Sequence, residues 1–178
     1  MYRKLALPLQ VQKYMHTSLQ TRFGDDTEDG FKGLQYHHAE IENADELLAV
    51  IPQKYRKDFC LSIMEINTHV PPHTDSGIKA AINFYIQTDG CSTHFYKTKN
   101  SAPRTYRINN QHEEGFLFNE ADLVEVGKFT AQDDEAWLID VSIPHSLSPT
   151  GTRIAAQLAT NSHDFSQVLK MLEDNHVL

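Results

Sequence analysis

Two runs near the C-terminus decide the fold class: Ala136-Trp137-Leu138-Ile139-Asp140-Val141 and Arg153-Ile154-Ala155-Ala156-Gln157-Leu158-Ala159. Between them stand Ile143-Pro144-His145-Ser146 and the turn Ser148-Pro149-Thr150-Gly151-Thr152. Each run is short, apolar and bounded by turn formers, which is the signature of a strand. The same signature recurs upstream. Phe59–Asn67, Lys79–Ile86, Ser92–Tyr96 and Leu123–Phe129 read as strands, with turns at Asp89-Gly90 and Asp133-Asp134-Glu135. Pro8 interrupts the apolar opening run, so residues 1–9 read as an edge strand or an irregular entry. Helical signals are confined to two places. Asn43 caps an acidic first turn in a short helix that ends before Pro52, and Asp164 caps a segment with Phe165, Val168, Leu169 and Leu172 on one face. Residues 97–122 are polar and without periodicity, and they read as a long connection. Several short strands between two helical pieces predict an antiparallel sandwich or barrel.

Composition narrows the class of function. The chain has 178 residues, enough for one domain with its own core. Lys and Arg total 16 against 24 Asp and Glu, a formal charge of -8. That balance argues against a nucleic-acid partner or an anionic membrane partner, which both call for a basic surface. Cys60 and Cys91 are too few for a disulfide framework, and no apolar run is long enough to cross a bilayer. A reduced, cytoplasmic protein is expected. Asp25–Gly30 is an acidic loop without the register of a calcium loop. His37 and His38 point to opposite faces of a strand, so they are read as structural.

The chemistry is concentrated in Val70-Pro71-Pro72-His73-Thr74-Asp75-Ser76-Gly77. His73 and Asp75, two residues apart in an extended chain, lie on the same side and can reach one metal ion. His145 is the candidate third ligand. Two imidazoles and one carboxylate on one face of a metal leave other coordination positions open, the donor set of non-haem Fe(II) oxygenases. Arg153 follows His145 across the Ser148–Thr152 turn. Read as a hairpin, that turn sets Arg153 on the neighbouring strand, facing the same interior, where a guanidinium can hold a carboxylate in a fork.

The order His73-Thr74-Asp75, His145, then Arg153 resembles the 2-oxoglutarate- and Fe(II)-dependent oxygenase superfamily. The likeness is nearest to its compact prolyl-hydroxylase-like and aspartyl/asparaginyl-hydroxylase-like members, and it covers about residues 59–160. The resemblance implies a mainly β fold: a double-stranded β-helix (jelly roll, cupin-like) with flanking helices, in a single oxygenase domain over residues 1–178. It implies that His73, Asp75 and His145 are the catalytic Fe(II) ligands. It implies that 2-oxoglutarate chelates the iron while Arg153 holds its distal carboxylate, and that dioxygen is the oxidant. Succinate and CO2 would leave, and a peptide residue, amino acid or other small molecule would be hydroxylated. Asn83 and Tyr85 share one face of their strand and are the expected co-substrate contacts. Thr93 and Phe95 form the inward pair if the register is the other way, and Gln157 shares the Arg153 face. Ala155 stands where the family's Arg-x-Ser variant has a hydroxyl.

Two further readings belong beside this one. A cupin-like metal protein with non-oxidative activity would bind metal but leaves Arg153 without a task. A non-catalytic β-sandwich binding module has no need of all three ligands. Trp137, Phe84 and Phe95 read as core, and His94 as a rim or buried histidine rather than a fourth ligand.

Overall fold

The computed structural model describes residues 1–7, 20–23, 34–38, 44–67, 69–99, 103–106, 115–148 and 151–178. In chain order the strands are β1 (Tyr2–Lys4), β2 (Gln20–Phe23), β3 (Leu34–His38), β4 (Cys60–Ile66), β5 (Val70–Thr74), β6 (Ala80–Gln87) and β7 (Ser92–Thr98). There follow β8 (Arg104–Tyr106), β9 (Gly115–Leu117), β10 (Leu123–Thr130), β11 (Ala136–Ile139), β12 (His145–Ser148) and β13 (Arg153–Thr160). The helices are α1 (Ala44–Leu48) and α2 (Phe165–Asp174), with 3-10 turns at Gln53–Asp58 and Glu120–Asp122.

The strands form two sheets among the described residues, in the orders β1-β11-β6-β13-β4-β3-β2 and β10-β7-β12-β5-β9-β8. Every strand pairing among the described residues is antiparallel. The path is the telling feature. From β4 to β7 and again from β11 to β13, each strand joins the sheet its predecessor did not. The centre of one sheet is therefore β4-β13-β6-β11 and of the other β5-β12-β7-β10. That interleaving is the double-stranded β-helix, a jelly roll of the cupin type.

Local sequence explains why the first sheet is apolar on both faces. On β6, Ile82, Phe84 and Ile86 pack in one core cluster with Leu47 and Ile51 near α1 and Val168 and Leu172 of α2. Ala81 and Tyr85 pack in a second cluster, with Ile66, Phe95, Phe129 and Leu147, between the sheets. Side chains alternate along a strand, so a strand covered on both faces loses its alternating pattern and becomes a continuous apolar run. α2 starts where expected. Asp164 accepts from the Gln167 amide at 2.9 Å, and the Gln167 side chain accepts from the Asp164 amide at 3.0 Å, completing a capping box.

Two expectations need correction, the connection over residues 97–122 and the hairpin before Arg153, while the turn at Asp89-Gly90 is present. Residues 97–122 are more than a connection: they contain β8, β9 and a 3-10 turn, and β9 pairs with β5 (His73 opposite Leu117). Asp89 and Gly90 do take left-handed φ angles of 44° and 74°, as a tight turn demands. The strands they join nevertheless go to different sheets, so the turn is a corner rather than a hairpin tip. The step from β12 to β13 is likewise a crossing between sheets, not a hairpin. Residues 1–9 are described as far as Leu7, with β1 at a sheet edge as expected; the Asp25–Gly30 loop lies outside the described residues. Among the described residues, no helix is long and apolar enough to cross a membrane.

Candidate metal centre

His73 and His145 are cross-strand partners on β5 and β12, and their rings lie 4.4 Å apart at 44°. The two prolines explain the local irregularity. Pro71 and Pro72 cannot donate to the ladder, and the pairing of β12 with β5 shifts register between His145 and Leu147. Pro72 still serves as an acceptor, taking the Phe118 amide at 2.9 Å. Asp75 sits just past the end of β5, where its amide donates to the Val141 carbonyl at 3.0 Å. Its Oδ1 is 3.3 Å from His73 Nε2 and 3.5 Å from His145 Nε2. The ligand atoms of all three residues lie within 4.8 Å of one another.

The protonation pattern suits a cation. His73 Nδ1 is 2.8 Å from the Pro71 carbonyl and His145 Nδ1 is 3.0 Å from the Ile143 carbonyl. A carbonyl only accepts, so Nδ1 is the donor in each of these bonds and Nε2 is the atom left facing Asp75. Each histidine is thus oriented by the carbonyl two residues before it, the partner arrangement that metal-bound histidines use. Burial, then the charge of His73, pushes His145 down to about 4, so this imidazole is neutral at physiological pH. Burial opposes ionisation of Asp75. The hydrogen bond with His73 and the charges of His145 and His73 outweigh it and hold the carboxyl below its ordinary value. Both Nε2 atoms and the Asp75 carboxylate converge on one point, where they could hold a metal ion.

Arg153 comes from the opposite sheet. It opens β13 opposite Ile66 and is 1% exposed. Its NH1 donates to Thr93 Oγ1 of β7 at 2.9 Å and its NH2 to the Tyr85 hydroxyl of β6, while its Cζ stands 4.5 Å from the centre of the Tyr85 ring. Its Nε has no hydrogen-bond partner, and no carboxylate among the described residues pairs with it. A cavity of about 30 Å³ runs between this guanidinium and His73, Asp75 and His145. Its apolar wall is Met64, Ile66, Val70, Ile139, Val141 and Leu147; its polar side adds Asn83, Thr93 and Gln157. At about 10–15 Å³ per water-sized group, the space matches the carboxylate end of a ligand rather than a bulky one.

The residues expected from the sequence divide in role. His73, Asp75 and His145 come together, and Arg153 joins them at one cavity. Asn83 lines that cavity; it accepts from Gln157 Nε2 at 3.1 Å and donates to the Tyr85 hydroxyl at 3.4 Å. Tyr85 is fully buried and does not line the cavity, so it acts on Arg153 instead of on a ligand. Thr93 does not exclude the Asn83 face: both pairs point between the sheets, because β6 and β7 lie on opposite sides of the gap. The apolar wall from β4 was not singled out in the sequence. Its signal is the two-residue spacing of Met64 and Ile66, which puts both on one face of β4. His94 is bonded through Nδ1 to Glu125 at 2.8 Å and is not a ligand of the centre.

No family model matches the chain, and no curated protein matches it. Solved structures do. The vicilin from Solanum melongena is similar over 80% of this chain and 30% of that one, with 12% identity and a TM-score of 0.41. The X-ray structure of E. coli ycfD is similar over 77% of this chain and 36% of that one, with 10% identity and a TM-score of 0.44. The chain spans about a third of the length of these proteins.

Proposed function

We propose that this protein is an Fe(II)- and 2-oxoglutarate-dependent dioxygenase that hydroxylates a peptide residue or an amino acid. One observation carries the reading: a fully buried guanidinium, with an orphan Nε and no carboxylate partner among the described residues, shares its cavity with a His-Asp-His cluster. A charge left unpaired in a core is costly, and a ligand carboxylate is its natural complement. The donor set fits iron: two imidazole nitrogens and one carboxylate oxygen, with no cysteine among them.

Bound iron and 2-oxoglutarate supply the oxidation itself, in which dioxygen converts the co-substrate to succinate and CO2 and the substrate is hydroxylated. His73 and His145 offer Nε2 atoms whose direction is set by their Nδ1 bonds to Pro71 and Ile143. Asp75 supplies the negative charge that a dication needs. Arg153 holds the far carboxylate, kept in place by Thr93 and by the ring and hydroxyl of Tyr85. The wall of Met64, Ile66, Val70 and Leu147 keeps water from the enclosed end.

The test is spectroscopic. Fe(II) followed by 2-oxoglutarate, added without oxygen, should give the visible charge-transfer band of the chelate, and oxygen should then release succinate. Metal binding with neither band nor succinate would refute the oxygenase reading and favour a cupin-like metal protein with non-oxidative chemistry.

A further inference from the structure

A series of aromatic rings leads from the metal centre to the surface. Phe95, the β7 partner of His145, is fully buried, and its ring lies 6.3 Å from the imidazole at 30°. Tyr2 stacks on Phe95 at 5.1 Å and 29°, and Trp137 is 5.9 Å from Tyr2. Phe129 stacks on Trp137 at 4.2 Å and 10°. Tyr2 and Trp137 are both half-buried, so the rings pass from a metal ligand to solvent without a break.

Packing alone accounts for an aromatic cluster. It does not call for the inner rings to be phenylalanines and the outer ones a tyrosine and a tryptophan. The inner rings are phenylalanines, which resist oxidation. The outer ones are a tyrosine and the single tryptophan of the chain, side chains that give up an electron readily. Both outer rings have a hydrogen-bond partner, and that of Trp137 is a base. The Tyr2 hydroxyl donates to the Lys128 carbonyl at 2.9 Å, and Trp137 Nε1 donates to Glu135 Oε2 at 2.9 Å. A ring that loses an electron becomes a strong acid, so an acceptor already in place for its proton lowers the cost of oxidising it.

We propose that Phe95, Tyr2 and Trp137 form a route that carries oxidising equivalents from the metal centre to the surface when no prime substrate is present. The inference rests on the oxygenase reading of the site. In the step, Trp137 would give one electron to a bound metal that dioxygen or peroxide has oxidised, lowering that metal by one oxidation level. Its Nε1 proton passes to Glu135, leaving a neutral indolyl radical. A one-electron reductant at the surface, such as ascorbate or a thiol, then reduces the radical as the proton returns from Glu135. Tyr2 bridges Phe95 and Trp137 through ring contact and keeps its hydroxyl proton in the bond to the Lys128 carbonyl. The wall next to the iron, Met64 above all, is thereby spared oxidation.

The test delivers the oxidant without co-substrate. The Fe(II)-loaded full chain is given an equimolar amount of hydrogen peroxide, frozen for electron paramagnetic resonance, and mapped by peptide mass spectrometry. The expected result is an aromatic radical signal and added oxygen on Trp137. Both should be lost in His145→Ala, which lacks a metal ligand. In Phe95→Leu, which keeps an apolar core, oxidation should move from Trp137 to Met64. Oxidation confined to Met64 and the ligands in the unaltered protein would overturn the route, and so would equal oxidation of Trp137 in His145→Ala. Succinate release from 2-oxoglutarate is measured separately: its absence counts against the oxygenase reading, whereas the peroxide map counts for or against the ring route.

Discussion

Replacing Arg153 by methionine separates a ligand-binding guanidinium from a structural one. Methionine fills much of the same volume without the charge. An uncompensated buried charge costs about 3–5 kcal/mol. The bonds to Thr93 and Tyr85 return about 1.5 kcal/mol each, which leaves about 0–2 kcal/mol unmet. Arg153→Met should therefore leave the ligand-free protein unchanged, or stabilise it by up to about 2 kcal/mol. For a chain of this size that is a rise in Tm of up to about 8 °C. The usual loss of a buried large side chain has the opposite sign. Binding of 2-oxoglutarate should respond the other way. Two charge-assisted hydrogen bonds contribute about 3–6 kcal/mol, so affinity should fall about 10²- to 10⁴-fold. Urea unfolding of metal-free protein reads the first effect. Anaerobic titration of the Fe(II) form with 2-oxoglutarate reads the second, with Fe(II) affinity as the control. A destabilisation of more than about 1 kcal/mol in the metal-free variant, with equal losses in iron and 2-oxoglutarate affinity, would show that Arg153 is structural.

Other outcomes follow from the same structure. Asp75→Ala and His145→Ala should each abolish tight Fe(II) binding while leaving the circular dichroism spectrum intact; retained iron affinity in either would mean that the triad is not the centre. The metal-free protein should lose about 3 kcal/mol between pH 6.5 and 4, at about 1.36 kcal/mol per pH unit. The cause is His145, whose pKa falls from 6.5 unfolded to about 4 folded; the unfolded chain takes up the proton first, so stability is complete above that window and drains as pH drops through it. A His145→Gln variant should show a flatter urea-stability profile over the same range, and an unchanged slope would remove His145 as the source. Gly151→Ala should destabilise by about 1–3 kcal/mol, since a Cβ there would stand 2.7 Å from both Cβ and Oδ2 of Asp89, whose Oδ2 accepts the Thr152 amide at 2.9 Å. Asp164→Ala should cost about 1 kcal/mol through the lost capping box of α2 and leave Fe(II) binding untouched; urea midpoints and iron titration check both parts.

The sequence by itself determined what depends on near neighbours. The short apolar strand runs, the Asp164 cap and the turn at Asp89-Gly90 are set by residues a few positions apart, and all three were legible. So was the ligand pair His73 and Asp75, because two residues of extended chain put both side chains on one side. Only the tertiary structure decided which sheet each strand joins. A turn between strands of one sheet and a corner between two sheets use the same residues, so the Ser148–Thr152 turn could not show that Arg153 faces His145 across the gap instead of beside it. That choice is made by distant pairings, β13 with β4 and β6, and β12 with β5 and β7. The same pairings made β9 a neighbour of the ligand strand, where short strands in a polar stretch leave little periodicity to read. They also closed Thr93 and Tyr85 around the guanidinium and left its Nε without a partner. Whether a buried charge is satisfied depends on every group around it, and those groups come from strands far apart in the chain.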